Sequence, residues 1–367
     1  MTTVAAPPLR VALDATPLLG TPSGVARSVA GLIGGLAALA DPPEVTLTGF
    51  SRSGGEPVHP GATWSPRRVP ARVLQALWSR APLPPVEWLS GPCEVFHATN
   101  FVLPPTRRAV GVVTVHDLTY QRYPDLITAA VARYAFLVPQ SLRRAQAVLT
   151  PSRAVADEVI DAYRLDPALV HVARAGVDPS WATARPATAG WLQAHGLPSS
   201  YVLAVGTLEP RKNLRTLVDA HRLMGPDAPP LVLVGSPGWG EQLALTPTDR
   251  VHLTGWLSDA ELQSLVAGAA VLAFPSLYEG YGLPPLEALA CGTPVVCSDL
   301  PVLREVLGAH AVFTPALDAG AFAGALAGAL TDPVDPGPGR AHAGSLTWTG
   351  YATQVMAAYQ SALAVGR

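Results

Sequence analysis

Two glutamates eight positions apart, Glu279 and Glu287, stand inside the segment FPSLYEGYGLPPLEALACGTPVVCS at residues 274–298. The apolar run Val271-Leu272-Ala273-Phe274 leads in and reads as a buried strand. A glycine-rich loop separates the acids, and the pair Pro284-Pro285 suits the first turn of a helix, where a missing N–H costs little. Glu287 then falls on the helix and Glu279 in the loop before it. Backbone N–H groups and a helix N-terminus between two carboxylates make a place for an anion flanked by hydroxyl acceptors. A nucleotide-sugar has that order: hydroxyls, a diphosphate, hydroxyls again.

A second candidate lies in YVLAVGTLEPRKNLRTLVDA, residues 201–220. A strand ends at Gly206, a polar loop follows, and a helix starts near Asn213, with Arg211 and Lys212 at that start. Cations are unfavourable at the positive end of a helix dipole, and an anionic ligand would resolve the conflict. Lys212 is the only lysine in a chain that otherwise uses arginine, which points to a role arginine cannot fill. The competing reading is a solvated pair of charges on a loop. His116, in VTVHDL, sits at the carboxyl end of a strand, where ligands of open α/β sheets bind; a packed histidine bonded to backbone is the alternative. His97 has the same placement and a weaker case. The other seven histidines have no partner pattern and read as structural or exposed. Gly20 and Gly24 lie in LLGTPSGVARSVAGL, residues 18–32, a turn that resembles a phosphate-cradling loop, and Gly235–Gly240 is another glycine-rich turn. Neither is a G-x-G-x-x-G or a P-loop, and no Asp-x-Asp suggests a metal-bridged diphosphate.

The elements that must hold these residues alternate along the chain. Short apolar runs at Val11–Asp14, Val45–Thr48, Val95–His97, Val112–His116 and Ala147–Thr150, then Tyr201–Val205, Leu231–Val234, Val251–Leu253, Val271–Phe274 and Pro294–Cys297, read as strands buried on both faces of parallel sheets. Helices are expected at Ala129–Arg143, Val155–Tyr163, Leu214–Leu223, Asp259–Ala267, Ala319–Leu330 and about Thr349–Val365. The alternation means doubly wound α/β sheets. It stumbles over residues 180–199, which places the boundary between a domain 1–180, joined by the last helix at 348–367, and a domain 181–347. TDPVDPGPGR, at 331–340, reads as a break. A cleft between two such domains is the expected site.

Composition narrows the classes. The chain has 367 residues, with Lys+Arg 25 against Asp+Glu 27 and a net charge of −2, so charge gives no argument for nucleic acid as a partner. Three cysteines without a close pair argue against a disulfide framework or a zinc site; Cys291 and Cys297 read as core. The N-terminal stretch lacks the pattern of a signal peptide, and no run of about 18 apolar residues suggests a span. The expected compartment is the cytoplasm.

Taken together, GTLEPRKNL at 206–214, TGWLSDAEL at 254–262, FPSLYEGYGLPPLEALACGTPVV at 274–296, VTVHDL at 113–118 and the terminal SLTWTGYATQVMAAYQ resemble the retaining glycosyltransferases of family 4. The resemblance implies the α/β GT-B fold: two Rossmann-like domains, an acceptor-side one and a donor-side one, facing across a cleft, with a C-terminal helix crossing back to the first. It implies that Glu279 faces the donor sugar with the amides of Gly280, Tyr281, Gly282 and Leu283. Glu287 would accept from the ribose and Lys212 would bind the diphosphate. His116 would touch the transferred sugar and Gly24 would lie near the diphosphate. Residues around Gly255 and Trp256 would hold the base. Many relatives carry an arginine where this chain has Thr207; here the arginine is Arg211, in a GTLEPRKN form similar to a mannosyltransferase subgroup.

The implied reaction moves a hexose, mannose from GDP-mannose first, to a glycan, lipid or small-molecule acceptor. Lys212, Arg211 and the helix N-terminus would stabilise the leaving diphosphate, with no metal and no cofactor beyond the donor substrate. A sugar-nucleotide epimerase, a phosphorylase-like enzyme and a non-catalytic nucleotide-sugar-binding protein share the two-domain plan. The glutamate pair disfavours the first, and a phosphorylase would need Lys212 for its cofactor. Finally, RRVPARVLQALWSRAPLPP at 67–85 places apolar residues at helical spacing among four arginines. Packed on its own domain it is an ordinary helix; turned outward it could touch an anionic membrane surface.

Overall fold

Apolar runs of four or five residues form the centre of each sheet, because a strand covered on both faces has no solvent side to make polar. In the computed structural model, which describes residues 7–20, 23–51, 62–240, 243–332 and 334–366, thirteen strands form two sheets. They are β1 (Arg10–Asp14), β2 (Glu44–Phe50), β3 (Ala62–Arg67), β4 (Val95–Ala98), β5 (Val110–Thr114), β6 (Ala147–Thr150) and β7 (Val170–Val172), then β8 (Val202–Val205), β9 (Leu231–Val234), β10 (Val251–Gly255), β11 (Val271–Phe274), β12 (Val295–Ser298) and β13 (Val312–Thr314). Their orders are β3-β2-β1-β4-β5-β6-β7 and β10-β9-β8-β11-β12-β13. Every pairing is parallel. Both orders reverse direction once, between β1 and β4 and between β8 and β11. Those are the switch points where crossovers diverge and leave a crevice at the strand carboxyl ends.

The chain divides into two compact units. One runs through Arg122, resumes over Ala129–Gly176 and takes in the chain from Thr347; the other comprises Tyr123–Thr128 and Val177–Leu346. In the first, the C-terminal helix Trp348–Val365 packs Tyr351, Ala352, Val355, Ala358 and Tyr359 into the same core as Val11, Leu13, Leu32 and Leu36. It approaches the helix Gly24–Ala37 closely. A Cβ on Gly35 would lie 2.2 Å from the Trp348 carbonyl oxygen, and one on Gly31 2.3 Å from the Trp348 ring. Only glycine permits that backbone approach. In the second, Val202, Ala204, Leu217, Leu231, Leu233, Val271, Ala273, Phe322 and Leu326 form the core between sheet and helices.

Three details differ from the sequence expectation. The helix expected over Ala129–Arg143 is interrupted at Arg133, giving Ala129–Ala132 and Tyr134–Leu142. Residues 331–340 are not simply a break: Gly337–Ser345 is a helix, and its Arg340 guanidinium donates to the Cys291 carbonyl at 2.6 Å. The strands β3, β7 and β13, all at sheet edges, had not been expected.

Candidate functional site

At the switch point of the second sheet, the segment after β8 and the segment after β11 lie side by side. Gly206 leaves β8 with φ 151, and a Cβ there would sit 3.2 Å from Cε of Lys212. A short turn over Pro210–Lys212 follows, and Asn213 in the left-handed region (φ 53) begins the helix Leu214–Met224. The Asn213 amide donates to the carbonyls of Pro275 (3.0 Å) and Ala316 (2.6 Å), and its oxygen accepts from Thr216. The Leu277 amide donates to the Arg211 carbonyl at 2.9 Å. These bonds fix one loop against the other and set the positions of the charged side chains between them.

Two cations meet one carboxylate there. Lys212 Nζ lies 2.7 Å from Glu279 Oε1, and Arg211 Nη1 lies 3.1 Å from the same oxygen. Arg211 Nη1 also donates to the Tyr278 carbonyl at 2.6 Å, while Nη2 reaches Glu209 Oε1 at 2.5 Å. The four side chains, Glu209, Arg211, Lys212 and Glu279, are 7%, 17%, 14% and 10% exposed. The reading of Arg211 and Lys212 as solvated loop charges is therefore set aside. The dipole conflict is met within the protein, by two carboxylates. Lys212 Nζ also stands 4.9 Å from the Phe274 ring centre, a cation–π distance.

The electrostatics follow from burial and pairing. Burial alone would raise the Glu279 carboxyl, but Lys212 and then Arg211 more than offset it and hold it at about 2. Burial pulls the Lys212 ammonium down, and Arg211 adds to this, while the Glu279 carboxylate works to keep its proton. Two cations and two carboxylates thus pair with one another at this point.

After Glu279, Gly282 takes φ 98 and caps the helix Leu283–Cys291. A Cβ at Gly282 would meet Leu303 Cδ2 at 2.6 Å. Pro284 and Pro285 occupy the second and third positions of that helix, so Leu283 alone among its first three residues carries an amide hydrogen. Tyr281 and Leu283 are buried beside it. Glu287 lies on this helix, 2% exposed, with Glu279 in the loop before it, as the proline pair had indicated. Gly255 ends β10 with φ 73 and its carbonyl accepts from the Gly235 amide; Trp256, next to it, is 56% exposed.

The first unit carries the two histidines. His116 follows β5. Its Nε2 donates to the Thr99 carbonyl at 2.8 Å, which leaves Nδ1 as the unprotonated nitrogen of the neutral ring, and burial pulls its pKa down. Phe101, an unusual non-glycine residue at φ 62, packs its ring edge-on at 5.6 Å from His116 and against Tyr134 at 4.6 Å. His97, the weaker candidate, is instead a core group. Its Nδ1 bonds the Tyr359 hydroxyl (2.8 Å) and its Nε2 the Thr114 hydroxyl (2.7 Å), and burial pushes it down to about 3. It ties the C-terminal helix to the sheet. Gly24 opens the helix Gly24–Ala37, capped by Ser23, with open space where a Cβ would stand; Thr21 and Pro22 of the same loop lie outside the described residues.

Sequence reasoning passed over Glu209 and Asn213. Both sit in the GTLEPRKNL stretch already singled out, and a carboxylate two residues before an arginine was the available signal for the first. It also passed over Asp14, at the end of β1, whose carboxylate accepts from the Thr16 amide at 2.9 Å and whose pKa burial raises.

Residues 199–332 match the family model described as glycosyl transferases group 1, and residues 22–181 match that for glycosyltransferase family 4. Across 282 residues the sequence is 31% identical to the O-antigen chain mannosyltransferase B of Escherichia coli, covering 72% of this chain and 74% of that one. The chain belongs to glycosyltransferase family 4. A further relative of this glycosyltransferase is the O-antigen chain mannosyltransferase RfbU of Salmonella typhimurium, 31% identical over 206 residues and 55% of each chain. Among solved structures, the sucrose-phosphate synthase of Thermosynechococcus elongatus superposes with a TM-score of 0.73 over 97% of this chain and all of that one, at 22% identity. This places the glycosyltransferase in the GT-B fold. No helix among its described residues is long and apolar enough to cross a membrane.

Proposed function

We infer that this glycosyltransferase moves mannose from GDP-mannose to a hydroxyl of a glycan, lipid-linked or small-molecule acceptor, with retention of anomeric configuration and without a metal ion. The observation that carries the reading is the convergence of Lys212 and Arg211 on Glu279 at the switch point of the second sheet. Both relatives named above are mannosyltransferases, which favours mannose.

In this reading the bond from the anomeric carbon to the β-phosphate oxygen breaks, and negative charge grows on the diphosphate. Lys212 and Arg211 shift from Glu279 onto those oxygens, and Glu279 turns to the hydroxyls of the sugar. Glu287 takes the ribose, Gly24 lies near the diphosphate and the Gly255–Trp256 corner takes the base. His116 contacts the transferred sugar. The Gly280–Leu283 backbone supports it. Fixed charges of this kind lower the barrier because they meet more charge in the transition state than in the ground state. Thermal unfolding with GDP, UDP, ADP and their sugar conjugates tests the donor, since a ligand that binds only the folded chain raises its stability by mass action. The reading expects the largest shift with GDP species; a UDP or ADP preference refutes the mannose donor. The anomeric coupling in the proton NMR spectrum of the product tests retention.

Peripheral membrane contact belongs to the same reading. On the helix Ala71–Trp78, Leu74 and Trp78 face inward while Val73 and Leu77 are about half exposed, with Arg68, Arg72 and Arg80 exposed nearby. Sedimentation with vesicles containing anionic lipid checks it: binding that Val73→Asp and Leu77→Asp abolish supports it, and no binding at low salt refutes it.

A further inference from the structure

Arg211 is pinned at both ends of its fork. Nη2 is held by Glu209 Oε1 at 2.5 Å and Nη1 by the Tyr278 carbonyl at 2.6 Å, and only as a third contact does Nη1 stand 3.1 Å from Glu279 Oε1. Glu209 is the most deeply buried of the four charged groups, with 7% of its side chain exposed. A guanidinium matches a carboxylate best when two parallel N–H groups meet its two oxygens. Freed from Glu209, Arg211 would swing its second N–H onto Glu279 and close such a pair in a site where water cannot compete. A buried ion left without its partner takes the nearest one, because the alternative is an unpaired charge away from water.

We propose that Glu209 is a positioning residue of the donor site: by holding Nη2 of Arg211 it keeps the guanidinium from capturing Glu279, so that a sugar hydroxyl can take the place of Arg211 on Oε1. This rests on the donor reading above, in which Glu279 faces the sugar. It follows that Glu209 governs how well the protein tells the sugar conjugate from the bare nucleotide. Affinity for the diphosphate itself also draws on Lys212 and on backbone, and so depends on Glu209 less than the sugar contact does.

The test measures dissociation constants for GDP and GDP-mannose by calorimetry on the full chain, for the wild type, Glu209→Ala, Glu209→Gln, Arg211→Ala and the double variant Glu209→Ala/Arg211→Ala. In Glu209→Ala the ratio of the two constants should move toward GDP by about tenfold, the worth of one charge-assisted hydrogen bond to the sugar. Glu209→Gln, which keeps an acceptor for Nη2, should fall between. The double variant is decisive. Without Arg211 only Lys212, which already pairs with Glu279 in the wild type, is left on that carboxylate, so the ratio should return to that of Arg211→Ala alone. KM for GDP-mannose should rise in Glu209→Ala more than kcat falls. A merely structural role would lower the unfolding temperature and weaken both ligands together, with no recovery in the double variant, and that result overturns the proposal. An unchanged ratio in Glu209→Ala overturns it as well and leaves the donor reading standing. A wild type that binds neither GDP nor GDP-mannose removes the donor reading, and the proposal with it.

Discussion

Replacing Glu279 by glutamine separates the two duties assigned to that carboxylate. The side chain keeps its shape and loses its charge, leaving Lys212 and Arg211 buried beside a neutral amide. The carboxyl is held at about 2 against an ordinary 4.5, a gap of about 2.5 pH units. At ~1.36 kcal/mol per unit the ionised form is favoured by roughly 3 kcal/mol, and the variant forfeits a stabilisation of that order. For a unit of this size ~1 kcal/mol moves the unfolding temperature by about 2–4 °C. The ligand-free variant should therefore unfold roughly 6–12 °C below the wild type. GDP should reverse much of this, because its diphosphate supplies the missing anion; the GDP-induced rise should exceed that of the wild type. Sugar transfer should be lost. The wild type carries the same information in its pH profile. A carboxyl depressed by folding contributes its full stability above about 4.5 and loses it as pH falls toward 2, and Glu279→Gln should make that limb shallower, leaving the share of Glu87 and Asp249. A variant as stable as the wild type without ligand, with an equal GDP-induced rise, would refute the picture of a carboxylate that stores two cations.

Lys212→Ala should lower kcat by at least about tenfold, the loss of one charge-assisted bond to the leaving group, and Lys212→Arg should restore little, because the planar fork does not fit where a compact ammonium sits. Steady-state transfer assays in excess chelator should show full wild-type activity; a strict requirement for Mg²⁺ or Mn²⁺ would overturn the metal-free mechanism. Gly35→Ala should destabilise the first unit by about 1–3 kcal/mol, since its Cβ would strike the Trp348 carbonyl, with GDP affinity unchanged by calorimetry. His97, held down to about 3 in the fold against 6.5 ordinarily, should make stability fall as pH drops below about 6.5, by up to ~1.4 kcal/mol per unit; His97→Gln should reduce the slope of urea-unfolding free energies between pH 6.5 and 5, leaving the share of His116 and His171, which burial also pulls down.

How much of this was legible in the sequence depends on where each residue lies in a sheet. The central strands β4, β5, β6, β9, β11 and β12 are buried along their whole length, so their apolar runs announced them. The edge strand β13 is exposed, half-buried and buried in turn, and β3, reading ATWSPR, carries three polar residues in six. Such strands are recognised only by a neighbour's backbone. The helix Gly337–Ser345 hides behind a Gly-Pro-Gly start that reads as a turn. In the site, Lys212, Arg211 and Glu279 stood out because a charge in a loop between apolar strands is conspicuous. Glu209 did not, since its meaning depends on the turn Pro210–Lys212 directing Arg211 back across it. His97 and His116 share a sequence context, strand end followed by polar residues. What separates them is the C-terminal helix, more than 200 residues further along the chain, whose Tyr359 claims His97.

The arrangement around Arg211 and Lys212 has a consequence for how such a site can be both stable and reactive. Two cations and two carboxylates, Glu209 and Glu279, sum to zero in the ligand-free protein. A site left with two unpaired buried cations would attract a diphosphate strongly, but it would cost several kcal/mol of folding stability and would hold the product diphosphate as tightly as the donor. Pairing each cation in advance removes both problems. In the proposed reading, binding then becomes an exchange, in which the diphosphate takes over partners that Glu279 gives up and the sugar hydroxyls compensate Glu279 in turn. Little net affinity is gained from the ground-state diphosphate, whose charge is shared with the sugar. The gain is reserved for the moment when the bond breaks and the full charge lies on the phosphate, which is where a stabilising interaction accelerates the reaction. A bare nucleoside diphosphate, with no sugar to occupy Glu279, leaves that carboxylate competing for its own cations, and so the same exchange that admits the donor favours release of the product.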